Sequence, residues 1–500
     1  MSITESDDRP GTRMRHQARG HTKRTFDLVV VANRLPVTRD VDAEGRCRWR
    51  TSPGGLASAM TAVMRHRTGA WVGWTGDAGE EPEPFDLSEG THLIPLPVDA
   101  QEVCDFYEGF SNATLWPLYH DVIVTPQYHQ RWWEAYQRVN RRFAESAAAA
   151  AAPGATVWIH DYQLQLVPAL LRRMRPDVRI GWFNHIPFPP AELFAQLPWR
   201  EEMLRGLLGA DLLGFQRPSD VENFVRTCSR LVGTTGDDEM ITWSQRLDDG
   251  ATSPPRAVRV TAAPISTDAL EFQSLARTPE IVERAREIRH SVGDPQTLLV
   301  SVDRLDYTKG IRHRLRAVSE LFADGDLVAG RDTFVQVATP SRDRVAAYRE
   351  LRWEIESMVG SINGDHGDLD ATAVHYLHQS RTREEITAFF LAADVLLVTP
   401  LRDGMNLVAK EFVAARVDGG GALVLSEFAG AADELTAAHL CNPHDIDGLK
   451  RTILMAMRGG TDVERRMDQL RRRVLRHDVH AWATRFLGML EGSRGVHPDE

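Results

Sequence analysis

Short, almost wholly apolar runs, each ending in polar residues and each followed by a helical stretch, recur along this chain in two series. The first series begins abruptly at Phe26 with FDLVVVANR and continues through ATVWIHD, VRIGWFN, ADLLGF and RAVRVTAAP. Between these runs lie stretches with helical patterning, such as GGLASAMTAVMRH and YHQRWWEAYQRVNRRFAE. Aliphatic and β-branched residues without alternation mark a strand covered on both faces, and strand–helix alternation marks an α/β domain with a parallel sheet. The second series, TLLVSVDR, TFVQVAT, AVHYLH, DVLLVTP and ALVLS, starts near residue 297. A polar, proline-rich stretch over 248–256 and then Pro264-Ile265-Ser266 separate the two. Five hundred residues are also more than one core organises. The chain therefore predicts two α/β domains, 26–265 and 266–480, with ligands held at the carboxyl ends of their strands in a cleft between them.

The ends read differently. Residues 1–25 are polar and arginine-rich without an apolar signal segment, and predict a disordered tail. Over 462–491 the pattern is helical. Trp482, Phe486 and Leu490 recur at helical spacing, so 481–500 predicts a helix and tail that pack back on the first domain.

Charge narrows the partners. With 59 basic and 70 acidic side chains the net charge is -11, a poor general surface for nucleic acid or anionic membrane. No apolar run is long enough to span a bilayer. The four cysteines are scattered, with no CxxC pair, which fits a reducing cytoplasm and no structural zinc site. Any anionic substrate must be held by cations gathered locally.

Such cations stand at predicted strand ends. Arg34 follows the first strand, where a planar guanidinium can clamp a phosphate. An ordinary surface ion pair is the alternative. Ser52-Pro53-Gly54-Gly55 opens a predicted helix and either receives an anion or is a plain turn. His160-Asp161 and Asn184-His185 end two further strands, the second stiffened by Pro187, Pro189 and Pro190. Two histidines without a third ligand make a weak metal site, and a structural role is as open for them as for His375 and His378. In the second half, VDRLDYTKG places Arg304 and Lys309 on one loop after a strand, able to converge on a diphosphate or to remain solvated. TPLRDGMNLVAKE is a strand end, a glycine turn and a helix start near Asn406. Its free N–H groups can hold a phosphate, and Glu411 is either a partner for ribose hydroxyls or an ordinary helix ion pair. From the residues alone this is a two-domain α/β enzyme for phosphorylated ligands.

The strings VVVANRLP, PGGLASAM, WVGWTG, FSNATLWP, HDYQL, HIPFPP, DLLGFQ, RLDYTKG, SINGDHGDL and TPLRDGMNLVAKE say more. In these, and in their order from about Phe26 to about Phe486, the sequence resembles the trehalose-6-phosphate synthases of glycosyltransferase family 20. The resemblance implies a GT-B fold: two Rossmann-like α/β domains with a deep inter-domain cleft, the first binding the acceptor and the second the nucleotide sugar. It implies a retaining glucosyltransferase, from UDP-glucose or ADP-glucose to glucose 6-phosphate, without metal or other cofactor. It places Arg34, Tyr107, Trp116 and Arg342 around the acceptor phosphate, Asp161 on the acceptor sugar, and Trp74 and Gly55 along the site. It places Arg304, Lys309, Leu407 and Val408 on the diphosphate, Glu411 on the ribose, and His185 and Asp403 on the transferred glucose. Arg304, Lys309, Asp161, His185 and Asp403 are the implied catalytic set. A homo-oligomer and a separate phosphatase acting on the product are implied as well. Two positions depart from the family's usual strings, Gln163 in HDYQL and Asp303 before RLDY, and neither is among the residues placed on a ligand. A glycerol 3-phosphate acceptor, C–N bond formation by a pseudo-glycosyltransferase and a catalytically silent sensor are the rival readings.

Overall fold

The computed structural model describes residues 24–41, 47–51, 60–61, 63–64, 68–79, 82–87, 90–244, 253–342 and 344–492. Gly55, most of the 1–25 tail and the last eight residues lie outside them.

Strands from residue 26 to residue 262 form one sheet. In chain order its members are β1 (Phe26–Arg34), β4 (Gly69–Trp74), β5 (Phe85–Asp86), β6 (Thr91–Pro95), β7 (Ala151–His160), β8 (Arg179–Phe183), β9 (Leu212–Phe215), β10 (Thr235–Gly236), β11 (Met240–Trp243) and β12 (Arg256–Ala262). A separate antiparallel pair, β2 (Val37–Val41) and β3 (Cys47–Thr51), stands beside it. The sheet order is β10-β11-β12-β9-β8-β7-β1-β4-β6-β5, and the inner run from β12 to β6 is parallel throughout. The interior strands are buried on both faces, as their unbroken apolar runs require: β4 and β9 have no exposed residue.

The second sheet, β15-β14-β13-β16-β17-β18, is wholly parallel. Its strands are β13 (Thr297–Arg304), β14 (Asp332–Thr339), β15 (Val374–Leu377), β16 (Val395–Val398), β17 (Ala422–Ser426) and β18 (His439–Cys441). Renumbered from its own start this is the 3-2-1-4-5-6 order of a doubly wound nucleotide-binding sheet, and the first sheet repeats that order around β1 and β7. The order in which strands are added therefore reverses at one point in each sheet, between β1 and β7 in the first and between β13 and β16 in the second. The crevices that open there are where ligands of such sheets bind.

The helical pattern over 462–491 is two helices, Thr461–Arg476 and Val479–Gly492, broken at His477-Asp478. The break lets the second helix, α1 here, cross back to the first sheet. Phe486 stacks on Trp158 at 4.9 Å and 10°, and the Trp482 indole donates to the Ala263 carbonyl at 3.0 Å. Its seat is Gly214, where a Cβ would stand 2.6 Å from the Phe486 ring. Among the described residues no helix is long and apolar enough to cross a membrane.

Candidate active site

The reversal point of the first sheet is lined by cations against aromatic walls. Arg34, the last residue of β1, lies over the rings of Trp74 (4.3 Å) and Tyr107 (5.5 Å) and donates to the Thr75 carbonyl at 3.3 Å. Trp74 ends β4 and is fully buried, its indole N–H donating to the Asp77 carbonyl. Tyr107 and Trp116 come from a segment without regular α-helical spacing: a π-helix, Val103–Leu115, that runs into a further turn, Trp116–Tyr119. It is started by a capping box between Asp99 and Glu102. The wider turn of a π-helix is a recurrent feature of functional sites.

Arg342 reaches this wall from the other sheet. Its guanidinium is 3.8 Å above the Trp116 ring, with that of Arg304 at 5.3 Å. Arg342 donates to the Asp306 carboxylate at 3.0 Å, to the Tyr348 hydroxyl and, across the cleft, to the Tyr162 hydroxyl at 3.2 Å. Its backbone is left-handed, φ 53°, a costly conformation for a residue with a Cβ and one that clusters at ligand sites. Burial alone would raise the Tyr107 phenol, yet the positive field of Arg34, Arg342 and Arg304 brings it below its ordinary value. Three converging cations with one phenol make a site for a dianion such as a phosphate monoester.

Asp161, just beyond β7, also has positive φ (75°). Its carboxylate accepts from the His185 backbone N–H at 3.2 Å, and burial pushes it up to about 6. His185 follows β8. Its Nε2 is 3.0 Å from Nδ1 of the buried His160, and burial lowers it to about 3, so the ring is neutral at physiological pH.

At the reversal point of the second sheet, β13 ends at the exposed Arg304 and leads through the turn Tyr307–Lys309. Lys309 is in a largely buried ion pair with Asp403, from the loop after β16. Burial opposes ionisation of Asp403, but Lys309 and the Asn406 amide hold the carboxyl below its ordinary value. Asn406 sits at φ 86° and caps the helix Leu407–Ala415, accepting from the Ala409 N–H at 3.1 Å. Leu407 and Val408 open that helix, so their N–H groups have no partner within it, the arrangement that favours an anion at a helix start. Glu411 lies one turn further on. Burial, with Glu271 nearby, raises its carboxyl to about 7 although Arg383 pulls the other way.

The two halves meet at this loop. A Cβ on Gly404 would stand 2.5 Å from the His185 carbonyl oxygen, so only glycine brings the backbone beside Asp403 against the backbone of His185. Arg402 spans to Asp121 (3.3 Å) and to the buried Asp220 (3.8 Å), and Arg217 grips Asp433 through two hydrogen bonds of 2.7 and 2.8 Å. Among the described residues no three His, Cys, Asp or Glu side chains gather as a metal site needs.

Thirteen of the fourteen site residues taken from the resemblance are among the described residues; Gly55 is outside them. Asp306 was overlooked. It is fully buried, accepts from Arg342, from Tyr348 and from Thr308, and sits among Arg342, Arg304 and Lys309, whose charge outweighs burial and keeps it ionised. The available signal was its position between Arg304 and Lys309. Asp303, one of the two departures, is a buried partner of Arg314 at 2.6 Å and serves the core.

Residues 26–492 match the model of glycosyltransferase family 20. The trehalose-6-phosphate synthase of Mycolicibacterium smegmatis is 54% identical over 467 residues, 93% of this chain and 92% of that protein. That of Mycobacterium tuberculosis is 53% identical over 480 residues, covering 94% and 95%. Among solved structures, an alpha,alpha-trehalose-phosphate synthase (UDP-forming) from Burkholderia xenovorans in complex with glucose-6-phosphate superposes with TM-score 0.84 at 32% identity, over 93% of this chain and all of that one. An Escherichia coli relative bound with UDP-2-fluoro glucose gives TM-score 0.83 at 32% identity, over 94% and 99%.

Proposed function

Since the chain belongs to glycosyltransferase family 20, we propose that it transfers glucose, with retention of configuration, from a nucleotide-glucose to glucose 6-phosphate. The products are α,α-trehalose 6-phosphate and a nucleoside diphosphate. The observation that carries this reading is the convergence of Arg34, Arg304 and Arg342 on Tyr107 and Trp116, with Arg304 on the same loop as Lys309, which pairs with Asp403. A dianion site that adjoins a diphosphate site through Arg304 is what a sugar-phosphate acceptor and a nucleotide-sugar donor need.

In this reading Arg34 and Arg342 hold the acceptor phosphate, with Trp74, Tyr107 and Trp116 as its walls. Asp161 accepts a hydrogen bond from the acceptor sugar. Arg304, Lys309 and the N–H groups of Leu407 and Val408 hold the donor diphosphate, and Glu411 accepts from the ribose hydroxyls. His185 and Asp403, brought together by Gly404, bind the glucose being moved. The acceptor's anomeric oxygen bonds to C1 of that glucose on the face the diphosphate leaves. The C1–O bond to the diphosphate breaks, its electrons go to the phosphate oxygen, and that oxygen takes the acceptor's proton. The protein's part is positioning and the neutralisation of charge as it grows on the leaving group. Closure of the two sheets, through Arg402, Arg217 and Arg342, keeps water from the donor. The domain limits 26–265 for the acceptor and 266–480 for the donor follow from this assignment. A cytoplasmic, homo-oligomeric enzyme acting before a separate phosphatase, in a pathway that protects against stress, completes the reading; scattered free cysteines support the compartment.

The test is a donor-by-acceptor assay on the purified full chain, with UDP-, ADP- and GDP-glucose against glucose 6-phosphate and glycerol 3-phosphate. The expected result is trehalose 6-phosphate from at least one donor, lost in Arg304→Ala and Lys309→Ala. A glycerol 3-phosphate product alone would change the acceptor. Binding of both ligands without turnover would make the chain a sugar-phosphate sensor.

A further inference from the structure

A cavity of about 470 Å³ opens away from the reaction cleft, and none of the residues placed around acceptor or donor lines it. It lies among three helices of the first half, Gln130–Ala150, Val167–Met174 and Arg200–Leu207, with Trp243 of β11 and Arg256 of β12 closing one side. The size is that of a site for a small organic molecule. Its floor is apolar: Trp133, Leu166, Leu170 and Leu208 contribute, and Trp133 is fixed by stacking on Trp199 at 5.3 Å and 12°.

Its charge is unlike that of the molecule. The chain carries a net charge of -11, yet the lining holds Arg141, Arg172, Arg173, Arg205 and Arg256 against a single carboxylate, Glu202. Two carboxylates just outside the lining take up part of this excess. Asp211 pairs with both Arg172 and Arg256 at 2.6 Å, and Glu201 pairs with Arg205 at 2.9 Å. Among the described residues, five guanidinium groups against three carboxylates leave an excess of two. The Nε–H groups of Arg172 and Arg256 are buried and have no hydrogen-bond partner among the described residues. A buried donor that nothing accepts from is destabilising, and a ligand that accepts from it removes that cost. An apolar floor, an arginine excess and two unpaired buried donors select an anion with an apolar body over a sugar phosphate, whose hydroxyls would lose their water against the leucines of the floor without gaining partners.

We propose that this cavity is a second, non-catalytic binding site for a small organic anion whose apolar body lies on Trp133 and Leu170 and whose anionic group meets the arginines. The probe is 8-anilinonaphthalene-1-sulfonate, compared with N-phenyl-1-naphthylamine, which has the same aromatic body without the sulfonate. Both are titrated into the full chain with UDP and glucose 6-phosphate saturating, so that the reaction cleft is filled. Energy transfer from tryptophan reports a site walled by Trp133 and Trp243. The expected result is one saturable site for the sulfonate, bound at least tenfold more tightly than the neutral probe. The exposed-residue pair Arg141→Glu/Arg173→Glu is expected to weaken it at least tenfold, and Leu170→Trp, which fills the cavity, to abolish it; a circular-dichroism melt confirms that each variant is folded. Equal binding of the neutral probe, displacement by UDP and glucose 6-phosphate, or undiminished binding in both variants would each overturn the proposal.

Discussion

Glu411, proposed above to bind the donor ribose, lies in surroundings that resist its charge. Burial, with Glu271 beside it, raises the carboxyl from an ordinary 4.5 to about 7. The folded pKa is the higher one, so the native state loses stability as pH rises from about 4.5 to about 7, and the full cost is present above that. The difference corresponds to about 3 kcal/mol. Glu411→Gln removes the charge and keeps the shape. The ligand-free variant is therefore expected to be more stable than the parent at pH 8, by up to about 3 kcal/mol, and no more stable at pH 4.5. Donor affinity should move the opposite way. An ionised carboxylate accepts from both ribose hydroxyls, and the diphosphate of the donor has no group titrating near neutrality. Between pH 8 and pH 6 the ionised fraction falls from about nine-tenths to about one-tenth, so the donor Kd should rise about tenfold. His185 at about 3 is silent in that window. Calorimetric titration of UDP-glucose, without acceptor, and thermal melts of the empty protein measure both quantities. A donor Kd flat from pH 6 to 8 in the parent, or a Glu411→Gln variant less stable at pH 8, would refute the argument.

Three further changes separate the parts of the site. Arg342→Lys keeps a charge but loses the fork to Asp306, Tyr348 and Tyr162 and the stack on Trp116; steady-state kinetics should show the acceptor KM up about tenfold or more with the donor KM unchanged. Gly404→Ala sets a methyl 2.5 Å from the His185 carbonyl, so kcat should fall about 10- to 100-fold while both substrates still bind in calorimetry. Phe486→Ala empties the seat on Trp158 and Gly214 and is expected to cost about 3–5 kcal/mol, read as a lower denaturant midpoint.

The sequence is most legible where strands are buried on both faces. Thr297–Arg304 and Ala422–Ser426 have the limits their apolar runs predict, and the helix after Asn406 starts where the glycine turn and the cap put it. The π-helix over Val103–Leu115 was invisible, because Val103, Phe106 and Phe110 recur at i, i+3 and i+7, the spacing of an ordinary α-helix, and nothing in that pattern marks the wider turn. The split at His477-Asp478 was hidden for another reason: both helices carry a continuous helical pattern, and only docking on the first sheet turns the chain. Arg34, Arg304 and Lys309 stand out as cations at strand ends. Arg342 does not, since it follows a polar stretch and draws its role from Asp306, Tyr348 and Tyr162, which come from three other places in the chain. The short antiparallel strands at the sheet edges, such as Phe85–Asp86, are too brief to leave a pattern.

The return of the chain to the first sheet has a mechanical consequence. One connection between the sheets runs through 263–268 on the way out and the other through 477–482 on the way back. They are bonded side by side: the Val479 N–H donates to the Thr267 carbonyl at 3.1 Å, and the Trp482 indole to the Ala263 carbonyl. A single tether would let the halves swivel about any direction. Two ribbons fastened together stiffen against twist and shear and leave one soft degree of freedom, a swing about the line on which they lie. A cleft that opened about that line would move its jaws along a fixed arc and return Gly404 to His185 in the same register.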